Sequence, residues 1–82
     1  MSITDRIILD PTIMLGKPVV RGTRITVELI VRKIGEGLSE HDVLEAYPGL
    51  AVEDIRAALA YAADTLAHEQ TILTDPPRKA AG

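Results

Sequence analysis

The sequence has no cysteine, tryptophan or phenylalanine, and its aromatic residues are limited to Tyr47 and Tyr61. The absence of cysteine excludes disulfide bonds, thiolate metal sites and catalysis by a thiol. Because aromatic side chains are almost missing, the core must consist of isoleucine, leucine, valine and alanine. The 82 residues form one domain, and a domain of this size buries only about 60% of its unfolded surface. Chains with a thin core often gain stability by association, so we expect a homodimer.

Long apolar segments are also missing. No run approaches the length that crosses a membrane. The N-terminal segment, MSITDRIILD, lacks the basic-then-apolar order of a signal peptide. We therefore expect a cytoplasmic protein without a membrane partner.

Positive charge is scarce overall, since the formal net charge is −3, but it is concentrated at one end of the chain. Residues 1–33 contain six lysines and arginines and three acidic residues, a net charge of +3. Residues 34–69 contain eight acidic residues and one arginine, a net charge of −7, and residues 70–82 add +1. We therefore expect a basic part and an acidic part, which the average charge conceals.

Short β-branched runs in the basic part predict a β-ribbon over residues 7–25. Gly22 lies between two of these runs, where glycine indicates a bulge or a tight bend. Pro18 has no backbone N–H to donate, so the ribbon lies at a sheet edge or begins there. Apolar residues at helical spacing then predict three helices, over residues 26–35, 39–47 and 52–68.

Capping residues support the starts of two of these helices. Thr26 is a suitable N-cap for the first helix. Ser39 and Asp42 have the spacing of a capping box at the second helix. The third helix follows Ala51, which is a poor cap. The connection over residues 48–51 has a length typical of a helix-turn-helix.

The chain is organised as one small domain with a tail. We place the domain over residues 1–69 and predict a mainly α fold, in which a three-helix bundle follows the short N-terminal β-ribbon. Residues 70–82 are polar and rich in proline, which predicts a flexible tail.

Three segments together resemble a bacterial and archaeal family called domain of unknown function 433. They are LDPTIMLGKPVVRGTRITV, EGLSEHDVLEAYPGL and EDIRAALAYAA, and the resemblance covers roughly residues 5–68. It implies a homeodomain-like three-helix fold with an N-terminal β-element. It also implies the antitoxin of a type II toxin–antitoxin pair, whose partner is a PIN-like ribonuclease and which binds its own operator DNA.

The basic part supplies most of the candidate DNA contacts. A bend at Gly22 would bring Arg21 and Arg24 to the same side of an extended segment. They would then bind phosphate, with the Thr23 hydroxyl as a further donor. Alternatively, Arg24 pairs with acidic helices of the same chain or of a second copy. The full set of candidate DNA-contacting residues is Lys17, Arg21, Thr23, Arg24, Arg32, Lys33 and Arg56.

Two further regions are candidates for protein contacts. Arg78 and Lys79 in the tail would enter the acidic site of a ribonuclease toxin, ordering on contact with it. Small side chains on the third helix allow close packing of a second helix, and the predicted dimer seam consists of Ala60, Ala63 and Ala67. The alternative function is a dimeric protein-interaction module that does not bind DNA.

Enzymatic activity is not indicated by the sequence. The only histidines, His41 and His68, do not belong to a recognisable arrangement of nucleophile and base. Asp64 and His68 have i, i+4 spacing, which suits a shared metal ion but also an ordinary hydrogen bond within a helix. Short motifs of this kind are usually incidental. We therefore predict no catalysis, no metal and no cofactor.

Overall fold

A computed structural model describes residues 5–69 of the chain. Its elements are β1, Ile7–Ile8; β2, Val19–Val20; α1, Val27–Gly35; α2, Glu40–Ala46; and α3, Val52–Glu69. The fold is mainly helical, as predicted, with three helices that follow a short antiparallel sheet. Each helix begins and ends within one residue of its predicted position. The predicted tail lies outside the described residues.

The sheet is smaller than the predicted ribbon. β1 and β2 pair in antiparallel register, with Ile7 opposite Val20 and Ile8 opposite Val19. Residues 23–25 form no strand, and the only further pairing in this part of the chain is a single bridge from Val19 to Thr26. The reason is that α1 begins at Val27, only a few residues after the turn at Gly22, which leaves too few residues for a second ladder.

The predicted N-caps are present at α1 and α2. The Thr26 hydroxyl accepts a hydrogen bond from the Leu29 N–H at 3.0 Å. At α2, the Ser39 hydroxyl accepts from the Asp42 N–H, while the Asp42 carboxylate accepts from the Ser39 N–H at 3.0 Å. Hydrogen bonds from Ser39 to the Asp42 carboxylate, the one from the backbone N–H most, lower the pKa of Asp42 because they stabilise its charged form.

Asp54 compensates for the poor cap at the start of α3. Its carboxylate accepts hydrogen bonds from the Ala51 N–H at 2.9 Å and from Arg6 Nη1 at 2.9 Å. Arg6 directly precedes β1, so this ion pair connects the sheet to α3. The Asp54 side chain is only 12% exposed.

The core lies between the sheet and the three helices and contains only aliphatic side chains. Its buried members are Ile7, Val19, Val20, Val27, Ile30, Val43, Leu50, Ile55, Ala57 and Ala58. Tyr61 and Ala62 of α3 are half-buried against this core, whereas residues 63–68 are exposed, so the C-terminal end of α3 extends past the core. Within residues 5–69, no helix combines the length and the apolar character that a membrane span requires.

Candidate nucleic-acid interface

The arginine turn, residues 21–24, connects β2 to the cap of α1. The Val20 carbonyl accepts a hydrogen bond from the Thr23 N–H at 3.0 Å, which closes a four-residue β-turn. This β-turn consists of residues 20–23. Gly22 is its third residue, and the Gly22 φ of +82° is the value that a type II turn requires. The predicted bend at Gly22 is therefore present, and it depends on the backbone conformation that glycine tolerates.

Thr23 holds the exit of the arginine turn. Its hydroxyl donates to the Val20 carbonyl at 2.9 Å and accepts from the Ile25 N–H at 2.9 Å. The hydroxyl proton predicted to serve a phosphate is thus used inside the chain. In this structure Thr23 supports the turn, and its hydroxyl proton is not free for an external phosphate.

Arg21 and Arg24 are exposed and lack acidic partners within residues 5–69. Arg21 Nε donates to the backbone carbonyl of Asp5 at 2.6 Å. This bond holds the side chain but does not neutralise its charge. Arg24 forms no hydrogen bond or salt bridge with any other described residue. Its alternative pairing with acidic helices of the same chain is therefore not seen in this part of the chain.

Three cations on or beside α1 have carboxylate partners, namely Lys17, Arg32 and Lys33. Lys17 and Arg32 share Glu28, with Lys17 Nζ at 3.3 Å from the carboxylate. The hydrogen bond from Arg32, and then that from Lys17, lower the pKa of Glu28. Lys33 Nζ lies 3.5 Å from Glu36 Oε1. These three cations are therefore less available to an external phosphate than the arginine turn.

The start of α3 is acidic. Glu53 and Asp54 lie in its first turn, and Arg56 Nε lies 3.4 Å from a Glu40 oxygen. A helix that reads bases in the major groove needs arginine, lysine, asparagine or glutamine at its start. The arginine turn, and not α3, thus has the uncompensated positive charge.

The Leu15 loop, residues 9–16, is a feature that the sequence reasoning missed. Met14 and Leu15 have φ values of +49° and +60°. The Ile13 carbonyl accepts from the Gly16 N–H at 3.0 Å, so Met14 and Leu15 are the central pair of a tight turn. Glycine and asparagine favour this geometry. Because methionine and leucine occupy these positions, the sequence did not predict the turn.

The Leu15 loop lies beside the arginine turn. Ile13 of the loop lines a shallow depression of about 340 Å³ together with Gly22, Thr23 and Arg24. Leu15 itself is 93% exposed. The loop that carries this exposed leucine thus borders the turn that carries uncompensated positive charge.

The predicted protein-contact residues have different positions. The predicted seam residues, Ala60, Ala63 and Ala67, are exposed on α3. Elsewhere α1 and α3 border an open groove of about 550 Å³, which Val31, Tyr61 and Leu66 line among others. Arg78 and Lys79 lie outside the described residues.

The spacing of Asp64 and His68 corresponds to an intrahelical contact. His68 Nδ1 lies 2.8 Å from the backbone carbonyl oxygen of Asp64. This is the hydrogen-bonding alternative of the two that the spacing allows, although it uses the carbonyl and not the carboxylate.

Known proteins resemble the chain over most of its folded part. A family model described as "Protein of unknown function (DUF433)" matches residues 7–62. The uncharacterized protein y4eO of Sinorhizobium fredii (strain NBRC 101917 / NGR234) is 41% identical over 69 residues, which are 83% of this chain. The chain spans only 31% of the length of y4eO.

A solved structure agrees with the fold. The crystal structure of a DUF433 member from Anabaena variabilis ATCC 29413 superposes with a TM-score of 0.73 at 30% sequence identity. The superposition covers 80% of this chain and 65% of that one. The resemblance seen in the sequence is confirmed, and the chain belongs to the DUF433 family of proteins of unknown function.

Proposed function

We propose that this chain is an antitoxin-like protein of a type II toxin–antitoxin pair, which sequesters a PIN-like ribonuclease and binds its own operator DNA. The resemblance of its three sequence segments supports the pairing with a toxin. One structural observation carries the DNA-binding part. Among the lysines and arginines of residues 5–69, only Arg21 and Arg24 have no carboxylate partner.

Two exposed guanidinium groups beside a tight turn suit the DNA backbone. Arginine presents several N–H donors in a planar fork that matches phosphate oxygens. The paired cations would first have to leave their carboxylates, whereas Arg21 and Arg24 would not. Phosphate contacts of this kind fix the position of a protein on the duplex and release counterions from it.

A salt series tests the DNA-binding part. The probe is a fluorescently labelled duplex of the DNA directly upstream of the gene. Each phosphate contact contributes about 0.9 to the slope of log K against log salt concentration. Arg24→Gln is therefore expected to weaken binding and to flatten the slope by about one unit for each chain in the complex.

Lys33→Gln is the matched control, because it removes one positive charge from a lysine that already has a carboxylate partner. Its slope is expected to stay close to that of the wild type. Lack of binding at low salt, or an equal effect of Arg24→Gln and Lys33→Gln, would contradict the proposed interface.

Co-expression tests the toxin-binding part. The chain is produced together with the protein encoded by the neighbouring reading frame, and copurification and ribonuclease activity are measured. We expect a stable complex in which the ribonuclease is inhibited. A chain with Arg78→Gln and Lys79→Gln is expected to inhibit less, since both cations are proposed to enter the acidic site. A neighbour that neither copurifies nor loses activity would contradict this part.

A dimeric protein-interaction module that does not bind DNA is the second candidate. The open apolar groove between α1 and α3 favours it, because exposed apolar surface commonly marks protein contacts. In this function Arg24 contacts an acidic helix of a second copy. Arg24→Gln would then change the sedimentation of the protein while the wild type failed to bind DNA.

A further inference from the structure

The conformation of the Leu15 loop is unfavourable for the residues it contains. A leucine in the left-handed region is strained, whereas glycine is not. Burial does not compensate for this strain, because Leu15 is 93% exposed and Met14 is 40% exposed. Two backbone bonds hold the turn, from Gly16 to Ile13 at 3.0 Å and from Lys17 to Met14 at 3.1 Å. Strain of this kind is often found where a protein contacts a ligand.

The surroundings of Leu15 indicate the chemistry of that ligand. Ile13, two residues before Leu15, lines a depression with Gly22, Thr23 and Arg24, and Arg21 precedes Gly22 in the same turn. The ligand must therefore offer an apolar surface close to negative charge. DNA does so where a base step is opened from the minor groove, because the apolar faces of the bases then lie between two lines of phosphates.

We propose that Leu15 is an apolar wedge that enters the minor groove of DNA, while Arg21 and Arg24 contact the adjacent backbone. This inference rests on the proposed DNA-binding function. Minor-groove proteins combine basic side chains with leucine, methionine or similar wedges, which part a base step and bend the duplex. A narrow groove rich in A·T pairs also attracts arginine most strongly.

An anionic membrane is a poorer match for the same surface. Peripheral attachment usually needs a larger basic cluster or an amphipathic helix. Here the other cations of residues 5–69 are paired with acids, and the whole chain has a net charge of −3. The observations thus favour DNA, and the membrane becomes one outcome of the test.

Leu15→Asn is the decisive substitution. Asparagine tolerates the left-handed region better than leucine does, so the variant is expected to unfold at an equal or higher temperature. Loss of the wedge should nevertheless weaken binding to the upstream duplex about tenfold. The salt slope should not change, because no phosphate contact is lost.

The bend is measured by energy transfer between dyes at the two ends of the duplex. Wild-type protein should raise the transfer, and Leu15→Asn should not. Leu66→Asn is the matched control, because Leu66 is also exposed, at 62%, but lies on α3. Netropsin, which fills A·T-rich minor grooves, should compete with the wild type.

The outcomes separate this inference from the function on which it rests. DNA binding that Leu15→Asn does not weaken overturns the wedge but leaves the proposed function standing. Absence of any DNA binding by the wild type overturns both the wedge and the DNA-binding part of the proposed function. Binding to vesicles of phosphatidylserine and phosphatidylcholine that depends on Leu15, with DNA binding unchanged in the variant, overturns the wedge in favour of a membrane.

Discussion

Gly22 and Leu15 both occupy the left-handed region of the backbone, with opposite consequences for stability. Gly22 has a φ of +82° and bears no strain, since glycine lacks the Cβ that clashes in this region. Leu15 has a φ of +60° and does bear strain. At the scale of single residues, the site therefore combines an unstrained turn that presents arginines with a strained turn that presents a leucine.

Gly22→Ala is expected to lower the free energy of unfolding by about 1 kcal/mol. A Cβ at this position would meet nothing within 4 Å, so the loss would come from the backbone conformation alone. Urea denaturation followed by circular dichroism measures it. Gly35→Ala is the matched control, because Gly35 also has open space around it but lies within α1. Equal stability of the two variants would contradict the argument.

Asp54→Ala is expected to destabilise the protein by about 2 kcal/mol or more. It removes the acceptor for the Ala51 N–H and leaves Arg6 without its partner, in a site where the aspartate is largely buried. Glu53→Ala, one residue earlier and exposed, should change stability by less than about 0.5 kcal/mol. Urea midpoints measure both variants, and similar losses at the two positions would contradict a special role for Asp54.

Among the helices, α3 has half of the capping arrangement that α2 has in full. At α2 the side chains of Ser39 and Asp42 cap each other's backbone N–H groups. At α3, Asp54 provides the carboxylate, but Ala51 has no hydroxyl to accept a bond in return. The start of α3 is thus open to improvement by a single substitution.

Ala51→Ser is expected to stabilise the protein by roughly 0.5 to 1 kcal/mol, because it completes a capping box. The thermal unfolding midpoint, measured by circular dichroism, should rise. Ser39→Ala should lower it by a comparable amount, as the reverse change at α2. If Ala51→Ser did not raise the midpoint, the bond from the Ala51 N–H to the Asp54 carboxylate would already satisfy the start of α3.

The two helix starts also predict how stability depends on pH. In the folded state the pKa of Asp42 is lowered by Ser39, and that of Glu28 is lowered by Arg32 and Lys17. Groups with a lowered folded pKa contribute stability above their unfolded pKa and lose it as pH falls through the folded value.

The urea midpoint is therefore expected to fall as pH decreases from about 5 to about 2. Asp42→Asn keeps an oxygen that accepts from the Ser39 N–H but removes the titrating group. Its midpoint should fall less steeply than that of the wild type over the same range. Parallel curves for the two proteins would show that Asp42 contributes nothing to the acid dependence.

The helices were predictable because their signals are local. Thr26 and Ser39 act as caps through neighbours only three residues away, and the apolar spacing depends on one helix at a time. The Arg6–Asp54 pair spans 48 residues and has no such local signal. Whether Arg24 has an acidic partner depends likewise on the positions of all the acidic side chains, which no local pattern gives. The turn at Leu15 could not be read because its residues are atypical of it.

At the scale of the whole molecule, pairing determines where positive charge can act. The basic part has a net charge of +3 in sequence, but Lys17, Arg32 and Lys33 are offset by Glu28 and Glu36. Arg6 is likewise offset by Asp54, so within residues 5–69 what remains is one turn with two arginines. Two such turns, held at a fixed distance in a dimer, would make twice as many phosphate contacts as a single chain.

The predicted homodimer is tested by sedimentation velocity over a series of protein concentrations. In a two-fold dimer with its seam on α3, residues near the axis meet their own counterparts. Ala63→Glu would therefore place two like charges in a contact that needs small side chains, and the variant should sediment as a monomer with an unchanged helical spectrum. Lys33→Gln should remain dimeric.

The salt series tests whether dimerisation adds contacts to DNA. A dimer that uses both arginine turns has twice the phosphate contacts of a monomer, so Ala63→Glu should reduce the slope of log K against log salt concentration by about half. Arg24→Gln should flatten the slope of the dimer by about two units, one for each turn. A wild-type monomer, or a slope that Ala63→Glu does not change, would mean that each arginine turn binds DNA independently of the other.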